Sequence, residues 1–491
     1  MGAQQRGQIL VPLRRGAEKV RRFMGKYRAL ARNTVIISAG TMLSKLVVFF
    51  MVRFYTGVLS PAEYGTADLL ITTVSLLTPF ISLGISDGVF RFTPEYPRSQ
   101  KSIFSTGIYT VTAGAVGFGL LLPLLHLVPE FHGYLALLVL MTLASCYHAV
   151  CEQYVRAQGD TMLYALQGLL NTTLVVGLNI VLLKVFRMGI TGYVLSVALA
   201  DLTCTVFLIL KKRLWRRMTR RPNRNLRRKM LRYSIPLIPT TVFWWITSAS
   251  DRYMINAMLG GDANGIYTVA NKLPTILTLL SSVLMQAWQF SAIQESKSDL
   301  REQAHFYSNV WLALMAALFI ASSAMIAFAK LEIRLLASDA YFDAWQYVPV
   351  LCAAMLFCAF TSFLGSVYTV TQRSGLSFWT SLIGAAVNIA LNALLIPSKL
   401  GIQGAAIATF ASYFIVFLVR ARSARRLIPF RLFQGTLLLS TVVLAGQILF
   451  ISFQWPGWQI AQAVALLALL IIDRRQLLEL LYDLARKRKK Q

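Results

Sequence analysis

The chain has 491 residues, of which 56% are hydrophobic and only 14% charged, and its mean hydropathy is +0.59. Soluble domains carry about 25% charged residues, so this composition excludes a series of ordinary water-soluble domains. Apolar runs of about 20 residues recur along the chain, and each can cross a hydrocarbon core of about 30 Å as a helix. The sequence therefore predicts an all-α polytopic membrane protein.

The hydropathy pattern predicts about 14 transmembrane helices, two six-helix lobes around a central cavity and two further C-terminal helices. The first thirty residues are basic rather than apolar, so we expect a retained first helix and no cleaved signal peptide. The predicted spans are 33–56, 64–86, 103–125, 133–155, 161–184, 190–210, 234–258, 265–290, 304–329, 345–370, 376–396, 401–419, 433–453 and 457–472.

The net charge is +29, and the basic residues that produce it are unevenly divided between the two predicted sides of the membrane. If the N-terminus is cytoplasmic, 40 of the 49 Lys and Arg residues fall in inner segments, five in outer segments and four within spans. The positive-inside rule predicts this bias for an even number of helices with both termini in the cytoplasm. No segment outside the spans is large enough to form a basic nucleic-acid-binding domain, so we expect no nucleic-acid partner.

Two halves of the chain share short motifs in the same order. LSPAEYG at Leu59–Gly65 matches LGGDANG at Leu259–Gly265, and GITG at Gly189–Gly192 matches GIQG at Gly401–Gly404. Two six-helix units that enter from the same side are parallel repeats, which can rock around a central cavity. The predicted segments are a basic cytoplasmic tail (1–32), an N-terminal lobe (33–210), a basic cytoplasmic linker (211–233), a C-terminal lobe (234–420), two additional helices (433–472) and a basic amphipathic tail (473–491).

Both termini contain basic amphipathic stretches, Val20–Arg32 and Arg474–Lys490. Such a pattern favours a helix lying on the anionic cytoplasmic surface of the membrane, with membrane lipids as its partners. A solvated tail that only fixes the orientation of the protein is the alternative.

Four basic residues lie within predicted spans, and each would cost at least about 2.5–3.5 kcal/mol if it faced lipid. We therefore expect them to face a water-filled cavity, pair with acids or reach the membrane surface. Lys45 lies in the middle of its span, whereas Arg53 is close enough to the outer end to reach the surface. The four are Lys45, Arg53, Arg252 and Lys272.

Two acids, Asp68 and Asp251, lie close to these bases in sequence or in predicted depth. They are candidate pairing or coupling residues, and Asn271 belongs to a polar stripe on the eighth span. One alternative is purely structural, with Lys45 paired to Asp68 and Arg252 paired to Asp251. The other is a cationic cavity that holds a negatively charged, phosphate-bearing substrate.

Several stretches resemble bacterial polysaccharide flippases, which transport lipid-linked saccharides and belong to the multidrug/oligosaccharidyl-lipid/polysaccharide exporter superfamily. These stretches are Ser38–Leu70, Leu83–Tyr96, Ser250–Leu273 and Leu335–Leu351. The resemblance implies that undecaprenyl-diphosphate-linked oligosaccharide crosses the bacterial cytoplasmic membrane by alternating access, for cell-surface polysaccharide biosynthesis. It also implies that the charged residues of spans one, two, seven and eight line the cavity. Arg91 would lie at its inner mouth.

Other functions remain open from the sequence. A cation-coupled multidrug antiporter of the same superfamily would need acidic or aromatic cavity residues, and a lipid II flippase for peptidoglycan would share the cationic cavity. A glycosyltransferase, ligase or polymerase would need a large external loop, and the longest predicted one spans only about 330–344. We therefore expect no enzyme activity. Polymerases and glycosyltransferases of the same pathway are expected partners.

The cysteine and histidine pattern indicates no cofactor or metal. All five cysteines fall within spans without a CxxC pair, and the four histidines form no HExxH motif. Energy would come from the membrane potential or from a proton or sodium gradient, and Asp251 is the candidate coupling acid.

Overall fold

The computed structural model describes residues 42–44, 46–120, 123, 133–282, 285, 300–371, 373–432 and 435–474. Over these residues the chain is built from α-helices, which are joined by short turns, by 3₁₀ helices and by one π-helix at Ile180–Val185. We name the α-helices in chain order: α1 (46–58), α2 (Pro61–Ile81), α3 (Ile85–Glu95), α4 (Gln100–Gly119), α5 (Leu135–Ala157), α6 (Thr161–Asn179), α7 (Gly189–Lys212), α8 (Arg224–Ser234), α9 (Ile238–Leu259), α10 (Gly261–Lys272), α11 (275–282), α12 (Leu300–Leu336), α13 (Val348–Val370), α14 (Ser374–Leu395), α15 (Ile402–Leu427), α16 (Gly435–Ser452) and α17 (Trp458–Ile472).

The prediction of an all-α polytopic membrane protein is confirmed. Among the described residues, nine helices have the length and hydropathy of membrane spans. The largest difference from the predicted boundaries is α12, which extends over 37 residues instead of the predicted 304–329. The predicted second span, 64–86, ends earlier because Leu83 and Gly84 adopt left-handed backbone angles, φ +50° and +60°, which stop α2 and start the separate helix α3.

The helices pack in two groups. In the first group, α5 packs against α3 and α7, and α6 packs against α7; in the second, α13 and α14 pack against α15, and α9 packs against α14. The groups meet where α2 contacts α9 and α10, while α16 and α17 pack against α12. The second group contains an aromatic core in which the rings of Trp311, Phe360 and Phe417 lie 4.8–6.2 Å apart.

The helix ends define two faces of the bundle. We call the face with residues 158–160, 213–223, 371 and 373 the basic face, and the face with residues 59–60, 259–260, 337–347 and 397–401 the distal face. At the basic face, Lys212 Nζ lies 2.6 Å from Asp160 Oδ2, and this hydrogen bond holds the pKa of Asp160 below its usual value. The predicted tail stretches, 20–32 and 474–490, lie outside the described residues except for Arg474.

The basic linker is folded against the first group. Helix α8 is strongly amphipathic, and it buries Leu226 and Met230 beside α3 while its arginines remain exposed. Gly88 of α3 makes room for this contact, because a Cβ there would lie 2.7 Å from Ser234 Oγ. The linker therefore continues the helical packing at the basic face rather than hanging free between the two groups.

Candidate functional site

At the distal face, α2 and α10 cross with their backbones in contact. These are the helices that begin in the two matching motifs. A Cβ on Gly65 would lie 2.7 Å from Gly261 O, and one on Gly265 would lie 2.0 Å from Pro61 O. Asn264 Nδ2 also donates a hydrogen bond to Gly65 O at 3.0 Å. Only glycine permits so close a crossing, so the two groups are closed against each other at this face.

Below this crossing lies an ion-pair cluster formed by Asp68, Arg252 and Lys272. Arg252 Nη1 lies 3.1 Å from Asp68 Oδ2, and Lys272 Nζ lies 3.5 Å from Asp68 Oδ1. The three residues come from α2, α9 and α10 respectively, so the cluster joins the two groups of helices. At a rise of 1.5 Å per residue, they lie about 10–16 Å along their helices from the distal ends.

The cluster has more positive than negative charge. Asp68 is the one acid in contact with two cations, and its side chain is 10% exposed compared with 20% for Arg252 and 29% for Lys272. Two hydroxyl groups also contact the cluster. Thr268 Oγ1 donates to Asp68 at 3.4 Å, and Thr72 Oγ1 accepts from Arg252 Nη1 at 3.3 Å. The formal charge of the three side chains is therefore +1, and the two cations remain partly accessible.

Lys272 lies where the eighth span is broken. Helix α10 ends at Lys272, residues 273–274 form a turn and the helix resumes at 275. Pro274 explains the break, because it has no N–H and its ring clashes with the carbonyl of the preceding turn. Thr275 Oγ1 then donates to the freed Lys272 carbonyl. The break places the lysine at the carboxyl end of a half-helix, where a positive charge is favoured.

A cavity of about 390 Å³ opens beside Lys272. Its aromatic wall consists of Tyr55, Tyr64 and Tyr193, and Lys272 Nζ lies 5.9 Å from the centre of the Tyr64 ring. The remaining lining is mixed apolar and hydroxyl in character. It is formed by Ser44, Leu46, Val48, Phe49, Val52, Thr172, Thr275, Ile276, Thr278 and Leu279.

A second cavity, of about 300 Å³, lies further along α11 and shares Thr278 with the first. Its polar lining consists of hydroxyl groups from α11 and α13: Thr278, Ser281, Ser282 and Ser362. The two cavities together place a row of hydroxyl groups along α11, and the first cavity lies between the two groups of helices. A sugar, which presents many hydroxyl groups, could form hydrogen bonds with such a surface.

Asp251 points away from the ion-pair cluster. Its carboxylate accepts hydrogen bonds from the Tyr267 hydroxyl, from Thr409 Oγ1 at 3.3 Å and from the Arg252 backbone N–H at 2.9 Å. It is therefore buried within the second group, between α9, α10 and α15, at 3% exposure. The neighbouring Arg252 side chain pairs with Asp68 instead, and the pairing of Arg252 with Asp251 weighed from the sequence does not form.

The remaining predicted site residues occupy different places. Arg53 Nη1 donates to the backbone carbonyls of Ala337 and Arg334, so its guanidinium caps the distal end of α12. Asn271 is buried and donates to Tyr267 O at 3.3 Å. Arg91 lies at the basic face with its guanidinium 4.6 Å from the centre of the Tyr233 ring of the linker. Lys45 lies outside the described residues, although its neighbours Ser44 and Leu46 line the first cavity.

Sequence reasoning assigned no partners to two buried polar groups. In the first group, Asp201 accepts from Ser145 Oγ at 2.6 Å and from Asn171 Nδ2 at 2.9 Å, and His148 Nδ1 lies 3.2 Å away. In the second group, Arg420 is buried at 3% exposure, although its position near the end of a span suggests a residue of the inner loop. Polar residues within apolar spans were the available signal, but hydropathy does not indicate which helix they face.

The fold is shared with solved membrane transporters. The lipid II flippase MurJ in an inward closed conformation aligns with a TM-score of 0.69 at 13% identity, covering 91% of this chain and all of that one. A multidrug resistance MATE transporter in an inward-facing conformation aligns with a TM-score of 0.63 at 13% identity, covering 81% and 98% of the two chains. A MOP superfamily transporter from Pyrococcus furiosus aligns at 0.57 with 14% identity, over 80% and 96%. The protein is thus a multi-pass membrane protein that shares the fold of these transporters.

The sequence comparison is more specific. An uncharacterized membrane protein of Methanocaldococcus jannaschii is 24% identical over 418 residues, which cover 80% of this chain and 97% of that protein. The polysaccharide biosynthesis protein family matches residues 30–290, more than half of the chain. The chain belongs to the polysaccharide biosynthesis protein family.

Proposed function

We propose that this protein is a flippase that moves a polyprenyl-diphosphate-linked oligosaccharide across the cytoplasmic membrane for cell-surface polysaccharide biosynthesis. One observation carries the proposal: the ion-pair cluster has two cations for one acid and lies beside the first cavity, which is lined by residues of both groups of helices. A diphosphate is the complementary ligand, because phosphate oxygens accept charge-assisted hydrogen bonds from lysine and arginine. Membership of the polysaccharide biosynthesis protein family supports a lipid-linked saccharide as the cargo.

The parts of such a substrate match different surfaces. The diphosphate would contact Lys272 and Arg252, the sugars would contact the hydroxyl row of α11, and the polyprenyl chain would stay in the bilayer. Undecaprenyl is the carrier we propose, with bacterial glycosyltransferases supplying the substrate and a polymerase receiving it. The basic face would be cytoplasmic, with both termini on that side, in agreement with the positive-inside rule.

The ion-pair cluster also offers a way to couple substrate binding to opening. In the closed crossing, Asp68 is held by both cations, and these contacts join the two groups below the glycine crossing. A diphosphate that competes for Lys272 and Arg252 would release Asp68 and weaken the distal closure. The energy for turnover would come from the membrane potential, about 2.3 kcal/mol per charge per 100 mV, or from a proton or sodium ion that neutralises the buried Asp251.

Two other functions are weaker. A multidrug antiporter would need acidic or aromatic cavity residues to bind a cationic drug, and Tyr55, Tyr64 and Tyr193 supply the aromatic part. Among the described residues the acid beside the cavity is Asp68, which two cations already neutralise. A lipid II flippase would use the same diphosphate contacts. The ion-pair cluster therefore does not separate the two kinds of flippase, and a transport assay with different lipid-linked saccharides does.

The test is a flipping assay in vesicles with the purified protein and a fluorescent undecaprenyl-diphosphate saccharide. We expect Lys272→Met to slow transport about 10- to 100-fold, the effect of losing one hydrogen bond to a charged group. Lys399→Met is the matched control, because Lys399 is exposed in a distal turn, and it should leave the rate unchanged. Transport of the saccharide by Lys272→Met at the normal rate would contradict the proposal, as would transport of lipid II or of cationic drugs alone.

A further inference from the structure

A second cationic site lies within the second group of helices, apart from the ion-pair cluster. It is built around Arg420 of α15, whose side chain crosses to α13 and α14. Its Nε donates to Thr380 Oγ1 at 3.0 Å, its Nη1 donates to the Thr361 carbonyl at 2.8 Å and its Nη2 donates to Ser381 Oγ at 3.4 Å. Gly365 makes room for the guanidinium, since a Cβ there would lie 2.8 Å from Nη1.

The charge of Arg420 has no protein counterion among the described residues. Its three hydrogen-bond partners are two hydroxyls and a carbonyl, and its guanidinium carbon lies 5.8 Å from the centre of the Tyr368 ring. The ion pairs among the described residues do not include it. The carboxylate of Asp251 bonds to Thr409, which precedes Arg420 by eleven residues on the same helix, about 16 Å along its axis. A buried charge without a counterion is costly, so the site needs an anion.

A cavity of about 20 Å³ lies directly beside this guanidinium. One water-sized particle needs about 10–15 Å³, so the space is large enough for a single-atom ion. The three recorded bonds use three of the five N–H groups of an arginine, and the Ser381 hydroxyl, as acceptor of one of them, keeps its own proton to donate. The walls are Trp244, Thr247, Thr361, Ser381, Gly384, Tyr413 and Val416.

From this geometry we propose that Arg420 and Ser381 bind one halide ion, chloride under physiological conditions, in the cavity between α9, α13, α14 and α15. The guanidinium neutralises the ion and the serine hydroxyl donates to it. Because Trp244 and Thr247 of α9 form one wall, the bound ion holds α9 against the rest of the second group. Helix α9 also carries Asp251 and Arg252, so chloride stabilises the frame on which the ion-pair cluster is mounted.

The experiment measures thermal unfolding of the purified full-length protein while sodium chloride replaces sodium gluconate at constant ionic strength. We expect a saturable rise in the unfolding temperature of a few degrees, together with a single saturable site for radiolabelled chloride. Arg420→Met should abolish both effects. Arg422→Met, an exposed arginine two residues further along the same helix, should retain both.

Ser381→Ala keeps the result interpretable if Arg420→Met does not fold. It removes one donor from the anion and should raise the chloride midpoint about tenfold. The absence of any saturable chloride effect in the wild-type protein would overturn the proposal. So would an unchanged midpoint in both variants, which would place the anion elsewhere, for example at the ion-pair cluster.

Discussion

Asp68 and Asp251 are two buried carboxylates on facing helices, and they are held by different kinds of partner. Asp68 lies between the two groups and is held by two cations. Asp251 lies within the second group and is held by a phenol, a hydroxyl and a backbone N–H, none of which carries a charge. The two cations that hold Asp68 can bind a negatively charged ligand in its place. The partners of Asp251 leave a negative charge that a cation or a proton can neutralise.

The comparison predicts the largest effect for Asp68→Asn. Removing the acid takes the paired carboxylate from Arg252 and Lys272, and breaking a buried ion pair from one side costs about 3–5 kcal/mol. Because the two cations are 20% and 29% exposed, we expect the lower end of that range, about 3 kcal/mol. The free energy of unfolding, measured by denaturant titration in micelles, should fall by this amount. Asp262→Asn at the exposed start of α10 is the control, and an equal loss there would show that the measurement does not report on the ion-pair cluster.

Asp473 extends the comparison to a buried carboxylate beyond the end of α17. Burial raises the pKa of Asp473 to about 6 from an ordinary value of 3.8. The folded state therefore binds the proton more tightly than the unfolded state, so stability should fall as the pH rises from about 4 to about 6, by about 3 kcal/mol in total. Asp473→Asn should be more stable than the wild type at pH 8 and no more stable at pH 4. Parallel pH profiles for the two proteins, from thermal unfolding, would contradict this assignment.

Asp251→Asn should have the smallest effect. The amide loses one of the three donors that the carboxylate accepts and removes a buried charge, so we expect a net destabilisation of about 1 kcal/mol. Denaturant titration in sodium and in potassium salts measures it. A loss as large as that of Asp68→Asn, present only in one of the two salts, would mean that a specific cation binds Asp251. The two carboxylates would then differ in their counterions, which would be two side chains for Asp68 and a bound metal cation for Asp251.

Much of the fold follows from local sequence properties. Apolar runs of about 20 residues specify membrane helices because an unsatisfied backbone in hydrocarbon is too costly. Pro274 and the Leu83–Gly84 turn show the limit of that argument, since a run that appears continuous in hydropathy is divided by a few residues into two helices. The broken eighth span matters most, because the break positions Lys272 at the cavity.

The candidate site was less predictable. Lys272, Arg252 and Asp68 were recognisable as polar residues in apolar spans, because their desolvation cost demands a partner or a cavity. Their pairing was not recognisable, since the sequence places Asp251 beside Arg252 and Asp68 far from both. Arg420 shows the same limit, because its place near the basic end of a span gave no sign that it is buried between three helices.

The sequence by itself determined that this chain is a helical membrane protein, how its basic residues are distributed along it, and that two motifs beginning at Leu59 and Leu259 match. Only the tertiary structure decided that those two motifs meet in one glycine crossing. It also decided that Arg252 pairs with Asp68 of α2, whereas Asp251 accepts a hydrogen bond from Thr409 of α15. The physical reason is that adjacent residues on a helix point about 100° apart. The partner that each one meets depends on which helices pack on either side.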